Sequence, residues 1–232
     1  MPTCFRVAAA ALCLLSRTAI AADLPSRLAP PPAYEAPFSW TGILVGVHAG
    51  YSFGRDQTGE YATQTGGLIA SYRYGMNSPL IGVNLGANYQ IGAVVLGAEG
   101  DVDVLSASGG NDNSGGRIRA HRDWEASLRG RLGYAFGPAL VYATGGAAFT
   151  QAAYNYYNPL NNQSEGPRVN RMGYTVGGGV DYAFTDHISA RLEYRYTDFG
   201  LSRYVGMSAF LGATGTQNST AQALRAGVNY RF

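Results

Sequence analysis

Between Leu80 and Ile91 the chain alternates without a break. Ile81, Val83, Leu85, Ala87, Tyr89 and Ile91 hold one parity, and Gly82, Asn84, Gly86, Asn88 and Gln90 hold the other. In a strand successive side chains point to opposite faces, so this run has one apolar face and one polar or glycine face. On a helix both sets would smear around the cylinder, so the repeat selects sheet and fixes which side chains share a face.

Seven further runs of the same kind follow from Trp40 to Phe232. Trp40 to Phe53 sends Ile43, Val45, Val47 and Tyr51 outward. Val94 to Leu105 sets Leu96, Ala98, Val102 and Val104 against Glu99, Asp101 and Asp103. His121 to Phe136 sets Trp124, Ala126, Leu128, Leu132 and Tyr134 against Glu125, Ser127, Arg129 and Arg131, and a fifth run follows Gly137-Pro138 to about Thr150. Arg171 to Phe184, Ile188 to Phe199 and Ala221 to Phe232 complete the set, the last with Leu224, Ala226, Val228, Tyr230 and Phe232 opposite Arg225, Gly227, Asn229 and Arg231. Eight segments of about ten alternating residues are the signature of a transmembrane barrel. The expected fold is therefore all-β, an eight-stranded antiparallel up-and-down transmembrane β-barrel. The 32 Gly, 17 Tyr and 14% charged residues agree, because a mean hydropathy of −0.09 fits neither helical spans nor a disordered chain.

Long connections near Gly54 to Pro79, Ser106 to Ala120, Gln151 to Asn170 and Ser202 to Thr220 alternate with three tight turns. Outer-membrane barrels have this asymmetry, with short periplasmic turns and long outer loops. An even strand count then puts both chain ends on the periplasmic side. Trp40, Tyr89, Tyr134, Phe136, Tyr182, Phe184, Tyr230 and Phe232 fall at the short-turn ends, and Tyr51, Phe53, Trp124, Tyr174 and Phe199 near the long-loop ends. Two such girdles are expected of rings that seek both bilayer interfaces.

Residues 1–21 read as a secretory signal, with Arg6, an apolar stretch from Val7 to Leu15 and Ala19-Ile20-Ala21 preceding cleavage after Ala21 or Ala22. The stretch is too short to span a bilayer as a helix. Residues 22–39 carry Pro25, Pro30, Pro31, Pro32 and Pro37 and are expected to form an extended periplasmic linker before a barrel over 40–232. Cys4 and Cys13 both lie in the signal, so a mature chain has no disulfide and no thiol chemistry. Removing Arg6 and Arg17 from the 17 basic residues leaves 15, equal to the 15 acidic ones, and a neutral chain gives no argument for nucleic acid.

The polar face, assigned to the lumen, collects Glu99, Asp101, Asp103, Glu125, Asp181 and Glu193 with Arg129, Arg131, Arg191, Arg195, Arg225 and Arg231. An eight-stranded interior is only wide enough for side chains to fill it, so six acids and six bases should pair into a structural plug. The alternative is a narrow gated pore lined by the same groups. Glycines on this face leave room for long Arg side chains.

Other chemistries find little support. Of the three histidines, His187 falls in a periplasmic turn and His48 on a lumen position, leaving His121 with Asp123 near an outer strand end and no placed serine for a lipid-modifying enzyme. Gly109-Gly110-Asn111-Asp112-Asn113 matches one calcium-binding repeat, which as a single copy reads as turn chemistry. Gly177-Gly178-Gly179 lies within a strand with no following helix, so it is not a phosphate loop. No catalytic residue, metal or cofactor is expected.

Several stretches together resemble the alphaproteobacterial outer-membrane immunogenic proteins, a small porin-like group within the OmpA-like barrels. They are Ala22-Asp23-Leu24-Pro25, Trp40-Thr41-Gly42, Tyr142-Ala143-Thr144-Gly145-Gly146, the run Gly173 to Phe184, the run Leu192 to Gly200, and Asn229-Tyr230-Arg231-Phe232. The resemblance implies a surface-exposed protein of the cell outer membrane, in contact with outer-membrane lipid and lipopolysaccharide. It implies that Tyr230 and Phe232 form the signal read by the barrel-assembly machinery, and it brings no catalytic residues. The outer loops depart most, and an unidentified ligand or host partner would be met there.

Overall fold

The computed structural model describes residues 38–113, 116–158, 163–166, 168–205 and 213–232. The signal expected at 1–21, and the expected linker as far as residue 37, lie outside the described residues. The strands are β1 Gly42–Ala62, β2 Leu68–Ile91, β3 Val94–Asn113, β4 Gly116–Phe136, β5 Ala139–Asn158, β6 Gln163–Glu165, β7 Arg168–Ala183, β8 Ile188–Val205 and β9 Ala213–Arg231. Chain neighbours pair antiparallel, β5 pairs β7, and β9 returns to β1, so eight long strands close a ring; β6 adds a short ladder at the outer end of β5. Closure leaves no unpaired edge in the ring, which a spanning sheet requires in lipid.

The outward face is apolar from Ile43 to Phe53 on β1, from Ile91 to Ile81 on β2 and from Phe232 to Leu224 on β9, all exposed. The ten steps from Ile43 to Phe53, at about 3.4 Å each and a tilt of about 40°, rise about 26 Å. That matches the apolar band of about 25 Å that such barrels present to lipid. Tyr89, Tyr134, Phe136, Tyr182, Phe184, Tyr230 and Phe232 are exposed at its lower edge, and Tyr51, Phe53, Trp124 and Tyr174 at its upper edge.

Two aromatics expected in the girdles point inward instead. Trp40 is 3% exposed: its indole Nε1–H donates to Gly137 O at 3.1 Å, and its backbone N–H donates to Gln90 Oε1 at 2.6 Å. It sits with Val95, Leu140 and Tyr142 as an apolar floor at the periplasmic end, because it keeps the parity of Leu44 and His48 on the inward face. Phe199 is also 3% exposed, since it keeps the parity of Arg191, Glu193, Arg195 and Thr197. Gly200, at φ 66°, then forms a bulge that shifts the β8–β9 register between Asp198 and Leu201.

The long connections are shorter than the sequence suggests. β1 and β2 stay paired up to Tyr61 and Leu68, β3 and β4 up to Asn113 and Gly116, and β8 and β9 up to Val205 and Thr214. Gly109 to Asn113, read as turn chemistry, belongs to the β3 ladder. The strands continue where their outward face is no longer in lipid, so the apolar alternation that marks a membrane strand ends before the strand does.

Candidate functional site: the charged interior

The lumen is layered. Above the apolar floor, β3 supplies Glu99, Asp101 and Asp103, β4 supplies Arg129 and Arg131, β8 supplies Arg191, Glu193 and Arg195, and β7 and β9 supply Asp181 and Arg225. All ten are buried. Period-two alternation puts each on the inner face, and glycines beside them make the space. A Cβ on Gly82 would overlap Asp103 Oδ1 and lie 2.6 Å from His48 Nε2.

Arg129 binds three carboxylates at once: Glu99 at 2.7 Å, Asp101 at 2.9 Å and Glu193 at 3.0 Å. Arg195 donates to Asp101 from both terminal nitrogens, at 2.8 and 3.0 Å, and to Glu193 at 3.0 Å. Arg225 pairs with Asp101 and Asp103, while Arg191 joins Glu99 at 2.6 Å to Asp181 at 3.1 Å. Arg131 pairs with Asp181 at 2.6 Å and lays its guanidinium 3.6 Å from the ring centre of Tyr142, whose hydroxyl donates to Glu193. Five cations thus meet five anions. Charges buried this deeply are tolerable because most are shared among several partners; among the described residues Arg131 pairs with Asp181 alone and otherwise lies on the Tyr142 ring.

Two of the twelve expected lumen residues stand apart. Glu125 is buried but accepts from Thr197 Oγ1 at 3.4 Å and joins no ion pair among the described residues. Arg231 is not in the lumen network: its guanidinium lies 4.6 Å from the Phe38 ring centre and 5.4 Å from that of Trp40, and it donates to the Asp186 carbonyl. At the last residue of β9 its side chain reaches the periplasmic rim, where a long Arg can keep its head near water.

Above the charged layer come Met76, Leu80 and Leu105, then a second polar group that the sequence reading did not assemble. Arg122 donates to Ser219 Oγ at 2.6 Å, lies 4.0 Å from Asp56 and covers the Phe199 ring; Arg171 donates to Gln217 Oε1 at 2.9 Å. Arg171 shares the parity of Thr175 and Asp181, which could have revealed it. Arg122 could not be read that way, because β4 bulges between Arg122 and Glu125 and breaks the alternation. On the outer surface His121 Nε2 and Asp123 Oδ1 lie 2.5 Å apart, both side chains solvent-exposed.

The space among His48, Glu99, Arg129, Arg191, Glu193, Arg195 and Arg225 is about 10 Å³. That is at the lower limit for one water, about 10–15 Å³, so this cavity holds one water at most.

A closed antiparallel ring with a lipid-height apolar band outside and paired charges inside defines a transmembrane β-barrel of an outer membrane. The comparisons agree. Residues 9–232 match the outer membrane protein beta-barrel domain, and the chain belongs to this family. It is 33% identical to the 25 kDa outer-membrane immunogenic protein of Brucella abortus biovar 1, over 97% of this chain and 96% of that one. It is 30% identical to the 31 kDa outer-membrane immunogenic protein of Brucella melitensis biotype 1, over 94% and 95%. Among solved structures, the outer membrane protein OprG of Pseudomonas aeruginosa superposes with a TM-score of 0.53 at 12% identity, covering 83% of this chain and 96% of OprG, a likeness of fold. These relatives are named as outer-membrane proteins without an enzymatic activity.

Proposed function

We propose that this is a sealed structural barrel of the outer membrane, its charged layer acting as a plug and its outer strand ends and loops as the surface offered to partners. The observation that carries this is the balanced Arg–carboxylate layer, whose side chains enclose a cavity of about 10 Å³ among His48, Arg129 and Arg195. A pore would need a continuous wetted path past Arg129 and Arg195, and both hold carboxylates on two or more strands. The exposed His121–Asp123 pair has no catalytic part in this reading. Liposome swelling tests it: mature protein refolded into vesicles should admit arabinose no faster than empty vesicles, whereas swelling that scales with protein would make the chain a porin.

The C-terminal Tyr230 and Phe232 are assigned on the same reading to recognition by the assembly machinery. Both are exposed on the lipid side at the lower edge of the band, and their rings pack 4.9 Å apart. An aromatic pair on the outer face of the last strand is open to another protein before the barrel meets lipid.

A further inference from the structure

Just above the apolar band, the outer wall across β9, β1 and β2 holds an open groove of about 840 Å³. Arg55 and Arg73 line it, with Gln57, Asn77, Thr220 and Gln222 beside them and Phe53 at its lower edge. Arg55 pairs with Gly75 and Gln57 with Arg73, so the two arginines are diagonal neighbours with Cβ atoms about 7 Å apart. Gly75 supplies the hollow between them, since no side chain projects there. Arg73 Nε donates to Gln57 Oε1 at 3.3 Å, and neither arginine joins an ion pair among the described residues. The outward carboxylate of Asp198 lies across Thr220 on β8 and is held by the Gly200 N–H at 2.8 Å.

Arg55 is one outward position above Phe53, the last apolar residue of its strand face. That is headgroup height, where a phosphoryl group sits directly over its own acyl chains. Two planar guanidinium groups with side-chain amides beside them suit phosphoryl oxygens, which the guanidinium groups can bind bidentately. A soluble anion would gain nothing from Phe53 and the band below it, whereas a lipid would bury acyl chains there.

We propose that this groove binds the phosphoryl group of an outer-leaflet glycolipid, the lipid A portion of lipopolysaccharide, with Arg55 and Arg73 as the phosphate ligands. The inference rests on outer-membrane placement and not on a sealed lumen, so a conducting barrel would leave it standing.

Native mass spectrometry of the refolded mature protein tests it, using bisphosphorylated lipid A, the same lipid A without phosphate, and inorganic phosphate as probes. An Arg55→Gln/Arg73→Gln variant is compared with an Arg168→Gln/Arg203→Gln control, which removes two exposed arginines elsewhere; heat-modifiable gel mobility verifies that each is folded. The expected result is that the wild type and the control retain bisphosphorylated lipid A at least tenfold better than the groove variant does. Dephosphorylated lipid A should be retained tenfold less by the wild type, and equimolar inorganic phosphate should not displace the lipid. Equal retention by both double variants, or indifference to the phosphates, would overturn the site. Displacement by equimolar inorganic phosphate would overturn the lipid as its occupant.

Discussion

His48 on β1 and Asp103 on β3 meet across β2, with Nε2 2.6 Å from Oδ1, because the residue between them in register is Gly82. Any side chain at that position would stand where the two groups join. Gly82→Val should therefore destabilise the barrel by about 2–3 kcal/mol, the usual cost of overpacking a filled interior. Gly130 faces lipid, and its nearest neighbour to an added Cβ is 3.9 Å away. Gly130→Val should change stability by about 0.5 kcal/mol or less. Urea unfolding of the two refolded variants checks the contrast.

Arg129 pairs with Glu99, Asp101 and Glu193 together, so its loss takes one partner from each and leaves the buried layer with four arginines against five carboxylates. Arg129→Ala should cost about 3–5 kcal/mol, the range for breaking a buried pair from one side. Arg231→Ala, at the periplasmic rim, should cost about 1 kcal/mol, mainly through lost packing on Phe38 and Trp40. Equal losses from the two would contradict the layered interior.

Gly200 takes a left-handed φ of 66° at the β8 bulge, and its N–H donates to Asp198 Oδ1. A β-branched residue is strained there, so Gly200→Val should cost about 1–3 kcal/mol. Differential thermal unfolding should show the loss. The same substitution at Gly145, an exposed strand position without left-handed φ where an added Cβ has no neighbour closer than 3.9 Å, should be milder.

Phe232 is 71% exposed on the lipid side and borders Tyr230. Phe232→Ser should lower the folded fraction in cells while leaving refolding into detergent close to wild type. Heat-modifiable mobility of membrane fractions and of refolded protein separates the two effects; equal impairment in both would assign the residue to stability and not to assembly.

The membrane-spanning half of the barrel was legible because lipid outside and charge inside force strict alternation, as from Ile81 to Ile91. The upper half was not, since past Phe53 the outward face turns polar and Arg55, Gln57 and Gly59 no longer contrast with Asp56 and Thr58. Bulges hid more: parity cannot be carried through β4 between Arg122 and Glu125. Trp40 misled because interfacial tryptophan and lumen-capping tryptophan are the same residue at the same height. Arg231 kept lumen parity and still left the lumen, because at the last position of a strand a long side chain can turn toward the rim.

The central claim, that paired charges close the barrel, is tested most directly by single-channel recording of the refolded mature protein in planar bilayers, beside an Arg129→Ala/Arg131→Ala variant verified as folded. The wild type should be electrically silent, and the variant, with its plug thinned on β4, should show openings. Stable openings of the wild type, altered in conductance by the same two substitutions, would contradict the account and make the charged layer the lining of a pore.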